Sequence, residues 1–185
     1  MSTQPLEQAI ASTKAVLANV KADQLTNDTP CVSWKVSDLI NHIVGAQNFF
    51  LAGLKGTPPA AGGAPASEGD FKAEFASSSA ALLDAFKGDG VMDKMFTLPF
   101  GTMPGAAFAG LATTDTFQHG WDLAKATGQD TNLAPDLAAE LLERSKMAIQ
   151  AGFRGPEGAP FGAERTAPDG SSNADQLAAF LGRAV

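Results

Sequence analysis

Apolar residues recur every three to four positions in a series of separated stretches, and that period constrains the fold more than any other feature. Leu6, Ile10, Thr13, Leu17 and Val20 predict a first helix over residues 5–22. Val36 to Leu54 reads as a second, with Leu39, Ile43, Ala46 and Phe50 on its apolar arc. Phe71, Phe75, Ser78, Leu82 and Phe86 mark a third, ended by KGDG. A fourth begins at Pro104, which suits a first turn, and stops at Gly128. Pro135 to about Ala151 gives a fifth, with Leu137, Leu141 and Ala148 on one face, and Asn173 to Leu181 a short last one, with Leu177 and Phe180 inward. The connections are rich in Gly and Pro: TNDTPCVSW is a turn, GTPPAAGGAPASEGD a loop expected to be mobile, and KMFTLPFGTMPG an irregular or weak hairpin. There is no tyrosine and no long β-branched run, so strand signals are scarce. The expected fold is all-α: a bundle of four main helices with additional C-terminal helices, folded as a single domain over 1–185.

Charge narrows the function classes. The net charge is −7 and no Lys/Arg cluster stands out, which argues against nucleic acid as a partner. Cys31 is the one cysteine, so no intrachain disulfide framework exists. The first residues read as an amphipathic helix rather than a signal peptide, and no apolar run approaches the ~20 residues that span a bilayer. The expected location is cytoplasmic, with no membrane partner.

The chemistry concentrates in two helices. Only two histidines occur, His42 and His119, and each falls within an apolar helical pattern. Residues four apart lie above one another on a helix, so Leu111, Asp115, His119 and Leu123 form one stripe, predicted to face the core. A buried carboxylate needs a cation or strong donors. His42, at the edge of the apolar arc of the second helix, can face the same interior. Two imidazoles and one carboxylate on facing helices make a metal site with an open position, suited to zinc and also to Fe(II) or nickel. An Asp–His pair at this spacing also occurs as a plain hydrogen-bonded pair or on an exposed helix face.

At these residues the chain resembles a known family. TPCVSWKVSDLINHIVG, LPFGTMPGAAFAGLATTDTFQHGWDLAKATG and FGAERTAPDGSSNADQLAAFLGR together resemble the actinobacterial members of the mycothiol-dependent maleylpyruvate isomerase metal-binding domain group, within the DinB/YfiT-like superfamily. The resemblance covers nearly the whole chain. It implies a DinB-like up-down-down-up four-helix bundle and a metal held by His42, Asp115 and His119. Many relatives have three histidines, and the isomerase has glutamate where this chain has Asp115. The isomerase also has a separate catalytic C-terminal domain, for which this chain is too short, so its activity is not carried over. Thiol S-transferases that use mycothiol or bacillithiol, with zinc or nickel, belong to the same superfamily.

The expected function is therefore a thiol-dependent transferase or isomerase in which the metal lowers the pKa of a low-molecular-weight thiol such as mycothiol. A metal-dependent hydrolase is the variant within that class. A non-catalytic metal-binding stress or sensing module is the alternative, and a helical interaction protein without metal a third reading. The expected partners are a small-molecule thiol and an electrophilic substrate, with monomer and homodimer both open. Asp122, on the face of Asp115, either orients His119 or pairs with an Arg or Lys from another segment. Trp34 and Trp121 read as packing residues, Asp38 as a dipole-favoured helix start, and Cys31 as a small buried hydrophobe rather than a ligand or exchanging thiol.

Overall fold

The computed structural model describes residues 2–58, 64–156 and 161–185. Part of the loop expected to be mobile (59–63), and 157–160 of the last Gly/Pro segment, lie outside the described residues. The described chain folds into α1 (Gln4–Ala18), α2 (Val36–Lys55), α3 (Phe71–Phe86), the strands β1 (Met95–Leu98) and β2 (Gly101–Pro104), α4 (Gly105–Ala126), α5 (Pro135–Ala148) and α6 (Asn173–Phe180). No helix among these residues is long and apolar enough to cross a membrane.

Local chemistry sets the helix ends. The Asp70 carboxylate accepts the Ala73 N–H at 3.0 Å to open α3, and Ser172 Oγ accepts the Asp175 N–H at 3.1 Å to open α6. Asp38 accepts the Lys35 N–H at 2.9 Å, so it caps α2 as its first-turn position suggests. Helix α1 ends earlier than its apolar pattern, at Ala18, where the Asn19 amide binds the Ala15 carbonyl. Val20 is buried all the same, from the turn that follows. Pro104 closes β2 one residue before α4, and Gly128, at φ +67°, turns the chain away after it. Helix α5 stops at Ala148, which is exposed rather than part of the apolar face.

Three packing contacts fix the bundle direction. Helix α1 runs parallel to α4: Leu6 packs among Phe108, Ala109 and Ala112, and Thr13 Oγ1 donates to the Thr116 carbonyl at 2.8 Å. Gly120 permits this approach, because a Cβ there would fall on the Thr13 hydroxyl. Helix α2 runs antiparallel to α4: Phe50 meets Phe108 with ring centres 5.4 Å apart, and Gln47 Nε2 donates to Thr116 Oγ1 at 3.0 Å. Helix α3 runs parallel to α2, with Phe75 against Val36, Ile40 and Ile43, and Leu82 and Phe86 against Phe50. Parallel neighbours need a long connection, and positions 56–70 separate these two helices in the sequence. The result is the up-down-down-up four-helix bundle.

Two additions surround it. The antiparallel pair β1–β2, in register from Met95↔Pro104 to Leu98↔Gly101, is a regular hairpin whose Phe96 and Leu98 are buried near Phe108. Helices α5 and α6 place Leu137, Leu141 and Leu177 against Phe117 and Trp121 of α4. Trp121 is fully buried, and its Nε1–H donates to Asp175 at 2.9 Å.

One expected core residue lies at the surface. Leu111 is 36% exposed. The buried side of α4 is set by its neighbours α1 and α2, and it runs through Phe108, Ala112, Thr116 and Leu123. The stripe Leu111–Asp115–His119 therefore borders the core at the α2 side instead of entering it.

Candidate metal centre

The antiparallel pairing of α2 and α4 brings His42 opposite Asp115 and His119. His42 Nε2 lies 3.4 Å from Asp115 Oδ1, and His119 Nε2 lies 3.7 Å from the same oxygen. All three ligand atoms fall within 4.8 Å of one another. The first is a long hydrogen bond and the second lies beyond hydrogen-bond range. They match what a shared ion requires, since ligands ~2.1 Å from a tetrahedral centre sit about 3.4 Å apart. The donor set of two imidazoles and one carboxylate fits a borderline divalent ion. Side-chain exposure falls from 34% at His42 through 23% at Asp115 to 13% at His119. The cluster thus opens to solvent on the α2 side and is closed behind His119.

Asp122 closes it. Its Oδ2 accepts His119 Nδ1–H at 3.0 Å, Arg183 Nη2–H at 3.0 Å and the Cys31 thiol at 3.2 Å. Its Oδ1 accepts Arg183 Nε–H at 3.0 Å and Gln118 Nε2–H at 3.3 Å. With every neighbour donating to this carboxylate, the His119 proton is fixed on Nδ1 and the Nε2 lone pair is aimed at Asp115. Both expected roles of Asp122 hold at once: it orients His119 and pairs with an arginine from another segment.

The charges are interlocked. Burial pushes the Asp122 carboxyl up, but the His119 bond and the Arg183 charge outweigh it and hold the group near 2. Burial favours neutral His119, yet the bond to Asp122, the Cys31 contact and the Asp115 charge raise it to about 10. Burial likewise opposes ionised Asp115, while the His42 bond and the His119 charge bring it below the ordinary carboxylate value. Burial lowers Arg183, and Asp122 more than reverses this. A proton and a metal ion compete for the single Nε2 lone pair of His119.

Cys31, His119 and Asp122 form a second group of converging donors. Arg183 Nη2 stands 3.6 Å from the Cys31 sulfur, so a cation there would meet a guanidinium. That group is a hydrogen-bond network. Cys31 departs from the expected buried hydrophobe: it is half-buried, and its thiol donates to Asp122 at 3.2 Å. Its loop is held by Thr29, whose hydroxyl donates to the Cys31 and Trp34 carbonyls, and by Ser33 at φ +67°. The same loop places the Trp34 ring 4.9 Å from that of His42 and 5.9 Å from that of His119. Trp34 is thus a wall of the site as well as a packing residue. Asp38 has no part in it.

Sequence reasoning brought forward His42, Asp115 and His119, and the fold brings them together. It passed over Arg183 and the wall formed by Trp34. The FLGR ending of the third quoted block carries Arg183 and was the available signal.

Residues 6–124 match the family model described as the mycothiol maleylpyruvate isomerase N-terminal domain. An uncharacterized protein of Mycobacterium tuberculosis, found in two strains, is 43% identical over 100% of this chain and 97% of its own. Among solved structures the chain is similar to the mycothiol-dependent maleylpyruvate isomerase, with a TM-score of 0.57 at 15% identity, covering 80% of this chain and 71% of that one. A mutant of that isomerase matches at 14% identity with the same TM-score of 0.57.

Proposed function

Because this chain belongs to the mycothiol maleylpyruvate isomerase N-terminal domain family, we propose that it is a metal-assisted enzyme, a transferase or isomerase that uses a low-molecular-weight thiol of the mycothiol class. We assign the metal to His42, Asp115 and His119, with zinc as the ion the donor set suits best and nickel or Fe(II) as substitutes. The observation that carries this reading is the joint geometry: two imidazoles and one carboxylate oxygen at ligand-to-ligand spacing, with a buried acid holding one imidazole proton away from them.

A divalent ion bound there supplies a Lewis acid that lowers the pKa of a coordinated thiol and keeps it ionised near neutral pH. The protein's own groups divide the remaining work. His42 and His119 offer neutral nitrogens. Asp115 offers one negative charge, which leaves a positive site for an anionic sulfur. Asp122, fully buried, holds the Nδ1 proton of His119, and the partly exposed Arg183 balances its charge. Trp34 stands beside both imidazoles. An ion held by these three residues would keep room for a thiol, and the exposed His42 side would let an electrophile reach it. Because small thiols are kept reduced in the cytosol, this reading puts the activity there.

Cobalt(II)-loaded protein tests the reading. Adding a mycothiol-type thiol is expected to produce a sulfur-to-cobalt charge-transfer band, absent in His42→Ala. A cobalt spectrum unchanged by saturating thiol rejects thiol chemistry at this site.

A further inference from the structure

The polar constellation accounts for the metal and the thiol but leaves open what the thiol attacks. The ground beside the cluster carries that answer. From Asp115, α4 continues one turn to Leu111, exposed at the surface although it is a large apolar residue. From His42, α2 continues to Gly45, where a Cβ would meet nothing within 4 Å, and then to Phe49, which stacks on the exposed Phe100 of the hairpin at 6.3 Å. Trp34 stands on the other flank. The open side of the cluster is thus bordered by apolar groups and free space.

Charge distribution sharpens this. Among the described residues, the basic side chains beside the cluster already have acidic partners. Arg183 is bound twice to Asp122. Lys35, beside Trp34, points into solvent and is paired there with the exposed Asp28 at 2.6 Å. Arg144 lies over Gly110 on the α5 side of α4, paired with Glu140, where a separate cavity of about 210 Å³ opens. The next lysine along α2 is Lys55, about 20 Å from His42 by helix rise, and along α4 it is Lys125, about 15 Å from Asp115. Residues 59–63 and 157–160 contain no Lys or Arg. The acids are near: Asp38 is exposed one turn before His42, and Asp115 is in the cluster itself. If the thiol takes the ion's open position, recognition of a substrate carboxylate falls to an available Arg or Lys, or to a cradle of free N–H donors. Among the described residues, the open side of the cluster has beside it only the surface-paired Lys35 and the Asp122-bound Arg183.

We propose that the second substrate is an uncharged electrophile with an apolar body, lying along Leu111, Gly45 and Trp34, and not a dicarboxylate of the kind after which the family is named. The proposal rests on the thiol reading of the same centre and adds the substrate class to it.

Inert probes of matched shape separate charge from chemistry. Diethyl phthalate and the phthalate dianion, which do not alkylate thiols, are titrated into the chelated full chain by calorimetry, and then into protein as purified. Trp34 emission supplies a second readout, since Trp121 is fully buried. The ester is expected to bind at least tenfold tighter than the dianion to the chelated protein. Leu111→Lys, at an exposed position, is expected to bring the two within about threefold. Gly45→Leu, which puts a side chain into the open space beside the cluster, is expected to weaken the ester alone. Equal or tighter binding of phthalate by the unaltered chain overturns the proposal. So does failure of both probes to bind, or a ratio that Leu111→Lys leaves unchanged. These outcomes are independent of the cobalt–thiol band: loss of the band rejects the thiol reading, whereas loss of the ester preference rejects only this substrate class.

Discussion

His119 has two nitrogens with separate duties, and the division is made by Asp122. That carboxylate receives every donor around it and shows the ring only an acceptor. Replacing it with asparagine offers the ring an amide that can also donate, and strands the Arg183 charge. Asp122→Asn is therefore expected to weaken cobalt or zinc binding 10- to 100-fold, with the helical circular dichroism retained below its transition. Titration of the folded variant measures this, and an unchanged affinity would mean that the Asp122 bond does not orient the ligand. The four-residue spacing made Asp115 and His119 legible from the chain, and His42 was legible as the one other histidine. The rotation of α4 was not, because it is decided by contacts with α1 and α2 far away in sequence. Leu111 therefore moved from an expected core position to the rim. Arg183 and Cys31 were hidden for the same reason: their partner Asp122 lies 61 and 91 positions away along the chain.

At the scale of elements, the bond from Trp121 to Asp175 clips α6 to the bundle, next to the apolar face of Leu177. Burial disfavours the ionised Asp175 carboxyl, but the bonds from Trp121 and Ser172 prevail and hold its pKa below the ordinary value. A depressed folded-state pKa contributes stability that is present above the unfolded value and is lost as pH falls through the folded one. Asp175→Asn is thus expected to lower the urea midpoint near neutral pH, with the gap to the unaltered chain narrowing below about pH 4. A gap of constant size down to the acid limit would show that this carboxylate gains nothing from its ionised form. Element type was readable wherever apolar spacing persisted over several turns. The hairpin was readable only as an irregular or weak one. Its strands are four residues each, and its regularity comes from packing Phe96 and Leu98 near Phe108.

For the whole molecule, apolar clusters along α1 to α4 and between α4, α5 and α6 hold the bundle without help from an ion. Metal then acts as a ligand of the folded state rather than as a condition for folding. At a free concentration 100 times its Kd, one ion adds about 2.7 kcal/mol. For a chain of this length that is roughly 5–10 °C in Tm. Chelation is expected to cost that much, with the helical signal intact at 25 °C; loss of the helical signal on chelation would make the ion structural. The central claim is tested most directly by elemental analysis of protein purified without a metal-affinity tag, alongside His42→Ala, Asp115→Ala and His119→Ala. The account predicts about one divalent ion per chain, lost in each variant while the helical signal remains. No stoichiometric ion in the unaltered chain, even after metal is supplied, or full retention in all three variants, would contradict it.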